Sequence, residues 1–112
     1  MSARGRFIMA AVILACCVAP GAAQRAPKPV VHRIVIDATS FSETSLTIRI
    51  GDTVEWLNKD VIPHTATATG KGGFDSGVIP AGQSWRHTFE KAGRLPYVCT
   101  FHPTMKATLR VR

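Results

Sequence analysis

Three side chains that can bind a metal stand at equal steps in the segment YVCTFHPTM, which ends at Met105. They are Cys99, His102 and Met105, and a fourth candidate, His64, lies 35 residues before Cys99. A thiolate is a soft ligand, two neutral imidazoles complete a trigonal set, and a thioether offers a weak axial contact. These residue types together fit a mononuclear type 1 copper site, which accepts Cu(I) and Cu(II) in the same geometry.

Two other chemistries use the same residue types. Structural zinc takes four Cys or His ligands in paired spacings, which this chain does not offer. Catalytic zinc could use Cys99, His64 and His102 with a water, but Met105 would then have no role at its spacing. A Cys99 nucleophile with His102 as its base needs a third group to orient the base, and no nearby motif supplies one. We therefore interpret the site as a copper centre and the protein as not an enzyme.

The first residues predict export. Residues 1–23 have the layout of a secretory signal peptide, with two arginines, an apolar run and small residues before a cleavage site at Gln24. The run is about 13 residues long, shorter than the ~20 that a spanning helix needs. Small residues before Cys16 leave a lipid anchor at Cys16 as an alternative. Cleavage leaves Cys99 as the lone cysteine, so a periplasmic or secreted chain could form no internal disulfide.

The chain is basic throughout its length. It has 14 Lys and Arg against 7 Asp and Glu, and the signal carries two of the basic residues, so residues 24–112 retain a charge of 12 − 7 = +5. The basic residues are scattered singly, without the run or aromatic-interleaved stripe typical of nucleic-acid binding. This charge favours protein partners with acidic patches.

The remaining chain is patterned as short strands and turns. Residues 24–29 form an extended leader, because Pro27 and Pro29 exclude a helix. Apolar residues then alternate with polar ones in LTIRI, VEWLN, SWRHTFE and MKATLRV, separated by glycine-containing turns. We predict one all-β domain over residues 30–112, a sandwich or small barrel of about seven or eight strands.

Three segments resemble the small cupredoxins, the type 1 blue copper proteins that include amicyanin and plastocyanin. They are VEWLNKDVIPHTATA, GGFDSGVIPAGQSWRHTFEKAG and YVCTFHPTMKATLRV. The resemblance implies a Greek-key β-sandwich of about eight strands with one copper ion near one end. It also implies that His64, Cys99 and His102 are strong ligands and that Met105 is the axial ligand.

The same resemblance assigns roles to residues around the ligands. Asn58 is expected behind the ligands, where its side chain would bond to the loop that carries Cys99. His102 is expected to expose its ring edge within an apolar patch formed with Pro103 and Phe101, and to serve as the port for electrons.

The function implied is that of an exported carrier that shuttles single electrons between redox proteins by Cu(I)/Cu(II) cycling. Such a carrier would be a monomer without a small-molecule substrate, and its donor or acceptor would present an acidic patch. The alternative is a periplasmic copper carrier or storage protein that transfers the metal itself.

Overall fold

The computed structural model describes Gly5, residues 8–17 and residues 27–112. The predicted cleavage site at Gln24 lies outside these residues, as does part of the predicted leader. None of the described segments forms a helix long and apolar enough to cross a membrane. Within them there are eight strands: β1 Val31–Asp37, β2 Ser40–Phe41, β3 Ser45–Ile48, β4 Thr53–Asn58, β5 Thr67–Ala68, β6 Ser84–Thr88, β7 Gly93–Val98 and β8 Lys106–Val111.

The strands form two four-stranded sheets, with the orders β2-β1-β4-β6 and β3-β8-β7-β5. The pairs β1–β4 and β3–β8 are parallel, and the other pairs are antiparallel. Chain neighbours are therefore often not sheet neighbours, and the connections cross between the two sheets. This architecture confirms the predicted all-β sandwich of eight strands.

The core lies between the sheets, at the positions that the alternating pattern predicts. Ile34 and Trp56 of one sheet and Leu109 of the other are fully buried. The Trp56 ring lies 5.6 Å from the ring of Tyr97 and 5.3 Å from that of Phe74, measured between centroids. Burying a side chain of this size contributes about 1.5–3 kcal/mol to folding. The aromatic cluster thus anchors the two sheets to each other.

The strand pairing brings the candidate ligands to one end of the sandwich. His64 lies in the β4–β5 connection, and Cys99 begins the β7–β8 connection. Because β5 is antiparallel to β7, with Thr67 opposite Val98, the end of the first connection lies beside the start of the second. The two segments meet in space although 35 residues separate His64 from Cys99.

The turn between β1 and β2 has an unusual backbone. Ala38 and Thr39 have φ angles of 47° and 57°, the left-handed region at both central positions of a two-residue hairpin. Residues other than glycine or asparagine are disfavoured there. The Thr39 N–H donates to Asp60 Oδ2 at 3.0 Å, so the turn is fixed against the connection that carries His64.

Candidate metal centre

Three ligand atoms converge at the end of the sandwich. One atom each from His64, Cys99 and His102 lies within 4.8 Å of the others. Cys99 Sγ is 3.7 Å from His64 Nδ1 and 3.8 Å from His102 Nδ1, so both imidazoles face the sulfur through the same ring nitrogen. His64 and Cys99 are fully buried, whereas His102 is half-buried. Of these three side chains, His102 is therefore the one that solvent reaches.

The segment from Cys99 to Met105 folds back on itself. The His102 N–H donates to the Cys99 carbonyl at 3.2 Å, and the Met105 N–H donates to the His102 carbonyl at 2.8 Å. The Cys99 N–H completes the loop by donating to the Met105 carbonyl at 3.1 Å. Met105 is 4% exposed. This tight turn sets the spacing of the three residues and buries the thioether side chain beside the start of β8.

The backbone of His64 is fixed by a bridge to Ile79. The His64 N–H donates to the Ile79 carbonyl at 3.2 Å, and the Ile79 N–H donates back at 2.8 Å. Asn58 Nδ2 donates to the carbonyls of Ile62 and Ile79, both at 2.9 Å, and its Oδ1 accepts from the Asp60 N–H at 2.9 Å. Asn58 therefore stabilises the segment that carries His64.

These bonds correct the expected partner of Asn58. Its side chain is fully buried, but neither amide hydrogen bond goes to the loop that carries Cys99. The physical reason is that the chain turns back over Asn58 directly after β4. Both N–H groups of the amide are therefore bonded to the carbonyls of Ile62 and Ile79, and none is left for the loop that carries Cys99.

Thr65 makes the connection that was expected of Asn58. Its backbone N–H donates to Cys99 Sγ at 3.3 Å, and its Oγ1 accepts from the Thr100 N–H at 2.9 Å. The two ligand segments are thus joined by a residue next to His64. Sequence reasoning missed Thr65 because a threonine after a histidine carries no signal of its own.

Asp60 is a second residue that sequence reasoning missed. Its Oδ2 lies 2.9 Å from His64 Nε2, and its carboxylate also accepts from the backbone N–H groups of Thr39 and Val61. The hydrogen bond from His64, followed by those from Thr39 and Val61, lowers the pKa of Asp60. An ionised carboxylate at Nε2 keeps the proton there and leaves the Nδ1 lone pair free for a metal. The only available signal was an acid four residues before the histidine.

The surroundings of the Cys99 thiol lower its pKa. Burial raises the pKa of Cys99, but the N–H of Thr65, the imidazoles of His102 and His64 and the N–H of Phe101 together outweigh it and lower the pKa to about 6. Metals bind the thiolate and not the thiol. The surroundings therefore favour the metal-binding form at neutral pH.

Several exposed apolar residues belong to the segments that carry the candidate ligands. Phe101, on the ligand loop, is 50% exposed, and Val61 and Val78, next to the segments that hold His64, are 89% and 58% exposed. Pro103 is also exposed. We call Val61, Val78, Phe101 and Pro103 the apolar rim. The sequence predicts a patch of His102, Pro103 and Phe101, and Phe101 and Pro103 are exposed as that prediction requires.

The donor set fits copper in chemical type. A buried thiol of lowered pKa, two imidazoles and a nearby buried thioether are soft or intermediate donors, which copper prefers in both oxidation states. The Asp60 carboxylate is directed to the outer nitrogen of His64 and not to the sulfur. An eight-stranded sandwich with such a group at one end defines a small cupredoxin.

Comparison with known proteins gives the family. The model of the family described as copper binding proteins, plastocyanin/azurin family, matches residues 30–112. The chain belongs to this family, as its resemblance to the small cupredoxins predicts, and copper is the metal of that family.

Two amicyanins are among the relatives. The chain is 31% identical to the amicyanin of Paracoccus denitrificans over 84 residues, which are 70% of this chain and 64% of the relative. It is also 31% identical to the amicyanin of Paracoccus versutus over 80 residues, 68% of this chain and 61% of the relative. The chain therefore spans less than two thirds of the length of these relatives.

Solved structures share the fold. A purple cupredoxin from Nitrosopumilus maritimus superposes with a TM-score of 0.67 at 29% identity, covering 72% of this chain and 99% of that one. The oxidised state of a proline-to-alanine variant of amicyanin superposes with a TM-score of 0.69 at 27% identity, covering 73% and 82%.

Proposed function

We propose that the protein is an exported type 1 blue copper electron carrier. His64, Cys99 and His102 are its strong copper ligands, and Met105 is its weak axial ligand. The single observation that carries the proposal is the buried Cys99 Sγ with two Nδ1 atoms 3.7 Å and 3.8 Å away. Copper, when bound, supplies one-electron exchange between Cu(I) and Cu(II).

The surrounding residues support this function by holding the ligands still. His64 is held through its backbone by Ile79 and through Nε2 by Asp60. Cys99 is held by Thr65 and by the closed ligand loop. Ligands fixed independently of the metal need not move when its charge changes, which keeps the reorganisation that accompanies electron transfer small.

The apolar rim supports a docking role for the His102 side. His102 is the partly exposed member of the group, so it offers the shortest way in and out for an electron. A partner that covers the apolar rim would exclude water there, and an encounter of this kind needs only a small, weak interface. We infer that the protein works as a monomer with redox partners that present acidic patches, after export directed by residues 1–23.

Reduction in the presence of a Cu(I) chelator tests the electron-carrier function. The copper-loaded protein is reduced with ascorbate while bicinchoninate competes for Cu(I), and it is then reoxidised with ferricyanide. We expect the colour to disappear on reduction and to return in full, with no copper lost to the chelator. Transfer of copper to the chelator at each reduction would contradict an electron carrier and favour a copper carrier or storage protein.

A further inference from the structure

On the outward side of the sheet β3-β8-β7-β5, every charged side chain at a strand position is basic. Arg94 in β7 is directly opposite Arg110 in β8, and both are exposed. Lys106 lies outward at the other end of β8 and is also exposed. We call the outward side of β3, β7 and β8 the basic face. Its strand positions are Ser45, Thr47, Arg94, Pro96, Val98, Lys106, Thr108 and Arg110, and none is acidic.

In the other sheet, the cross-strand arginines are paired with a buried carboxylate. Arg33 and Arg86 lie on either side of Glu55 in register, and both bind its carboxylate, at 3.0 Å and 2.5 Å. Glu55 is 4% exposed, and the hydrogen bond from Arg86 is the main cause of its lowered pKa. Cross-strand arginines can thus be neutralised in this fold, and on the basic face they are not.

The pairing of Arg94 with Arg110 works against folding. Like charges directly opposite each other on neighbouring strands destabilise a sheet. Two carboxylates border this sheet. Glu43, two residues before β3, is level with Lys106 in the β3–β8 register and four residues along the strand from the position opposite Arg110. Asp75 lies beyond β5, where its carboxylate accepts from Thr67 Oγ1. Asp75 is three strand spacings, or about 14 Å, from β8, and Glu43 is about 13 Å along the strand from the level of Arg110. Both distances exceed the ~8 Å screening length at physiological salt. The arrangement of Arg94 and Arg110 is therefore better explained by binding than by stability.

A shallow cavity of about 510 Å³ lies on the same face. Pro96, Val98 and Thr108 contribute to its lining, with Lys106 and, from the ligand loop, Pro103. The cavity offers apolar lining beside one cation, Lys106, and reaches the end of the molecule that holds the candidate copper ligands.

We propose that the basic face is a second docking surface, which binds the acidic patch of a redox protein independently of the apolar rim. The inference rests on the proposed function, because the partner is one that exchanges electrons with this protein. Guanidinium groups bind carboxylates in a defined, often bidentate geometry, and the strand register holds Arg94 and Arg110 side by side. A protein is favoured over a membrane because none of the exposed large apolar side chains of the described chain stands at a strand position of this face.

Amide NMR spectra of the Cu(I) protein, titrated with a short oligoglutamate peptide, test this surface. We expect shifts confined to β7 and β8 and abolished by high salt. The double variant R94Q/R110Q is expected to bind the peptide about tenfold more weakly. It should also unfold at the same or a higher temperature, because it loses a like-charge pair. The control K71Q/K91Q, which makes the same change of charge in two loops, should bind the peptide as the parent does.

Three outcomes would overturn the proposal. The first is a set of amide shifts centred on the His102 loop or spread over all basic residues. The second is a loss of peptide affinity in K71Q/K91Q equal to that in R94Q/R110Q. The third is binding to phosphatidylglycerol vesicles that is tighter than binding to the peptide and that R94Q/R110Q abolishes. The last would make the basic face a membrane surface. Because peptide binding requires no electron transfer, failure of the docking surface and failure of the electron-carrier function would be seen separately.

Discussion

At the scale of single residues, Asp60 supports the ligand His64 in a way that the sequence did not reveal. Its carboxylate is only 13% exposed and takes three hydrogen bonds, one of them from the buried ring of His64. A negative charge at Nε2 makes the imidazole a stronger donor and favours the more highly charged Cu(II).

Replacing Asp60 with Asn tests this role. D60N keeps the shape of the side chain but removes its charge, so we expect Cu(II) affinity to fall about 10- to 100-fold and the reduction potential to rise. Competition with a chelator and voltammetry measure the two quantities. The variant E90Q, which removes an exposed carboxylate in the β6–β7 turn, serves as the control. A lowered potential in D60N would contradict the assignment.

Cys99 is the residue on which the copper assignment depends most. C99S replaces the soft thiolate with a hydroxyl, and we expect the intense visible absorption of the Cu(II) protein to disappear. The absorption spectrum after addition of one equivalent of copper measures this. In the full chain, C16S removes a thiol outside the β-sandwich and should leave the spectrum unchanged; a blue C99S protein would show that another residue binds the metal.

Cys99, His102 and Met105 were predictable because each has a chemically distinctive side chain at a fixed local spacing. His64, 35 residues before Cys99, was a candidate by its chemistry and by the resemblance to the small cupredoxins. The supporting residues were not predictable. Thr65 acts mainly through its backbone N–H and hydroxyl, and Asp60 acts through a turn that brings it under His64. Such roles depend on which loops meet in space, which local spacing does not determine.

At the scale of elements, the β1–β2 turn stores strain beside the site. Ala38 and Thr39 both occupy left-handed φ angles that Asn and Gly adopt more easily. We expect the double variant A38N/T39G to raise the free energy of unfolding by roughly 1 kcal/mol or more. Denaturant unfolding of the metal-free protein measures the change.

A glycine elsewhere provides the control for this turn. T44G places glycine at a residue without a left-handed φ angle, so it should lower stability through the unfolded state. If A38N/T39G were destabilised as much as T44G, the strain assigned to the turn would be wrong.

Asp52 links the ends of β1, β3 and β4 by hydrogen bonds, far from the ligand loop. It is 5% exposed and accepts hydrogen bonds from His32 Nε2 and from the backbone N–H groups of Val30 and Arg49. The bond from His32, followed by those from Val30 and Arg49, lowers the pKa of Asp52 to about 2. Because the folded pKa lies below the ordinary value of 3.8, the stabilisation is complete above that value and is lost as the pH falls toward 2.

The variant D52N isolates this contribution. We expect it to be less stable than the parent at neutral pH and to lose less stability between about pH 5 and 2. Unfolding free energies across that range measure the difference. The variant D37N, which changes an exposed carboxylate at the other end of β1, should follow the parent. Parallel pH profiles for D52N and the parent would contradict the role of Asp52.

The elements themselves followed largely from the sequence. Alternation predicted the inward side chains of β3, β4 and β8, and turn residues predicted the breaks. Pro96 has no N–H to donate to a neighbouring strand, and yet β7 lies between β8 and β5. Proline is accommodated because β5 ends at Ala68, before the level of Pro96. The next residue, Thr69, donates its N–H to the Pro96 carbonyl, so Pro96 itself needs no N–H. The length of a neighbouring strand cannot be predicted from local pattern.

At the scale of the whole molecule, a small sandwich whose two ligand segments meet at one end should gain stability from its metal. Copper binds the folded state, and at free copper about 1,000-fold above the dissociation constant the gain is about 4 kcal/mol. For a domain of this size that corresponds to a rise in melting temperature on the order of 15–30 °C. Calorimetry of the apo and copper-loaded protein measures it. C99S should show a much smaller rise, and an equal rise would mean that copper stabilises through another site.

The central claim is that Cys99, His64 and His102 bind one copper ion in a type 1 site. The absorption and electron spin resonance spectra of the protein with one equivalent of Cu(II) test it most directly. We expect an intense visible band from thiolate-to-Cu(II) charge transfer and the small copper hyperfine coupling of a highly covalent Cu–S bond. A colourless protein with the large hyperfine coupling of ordinary tetragonal Cu(II) would contradict the account.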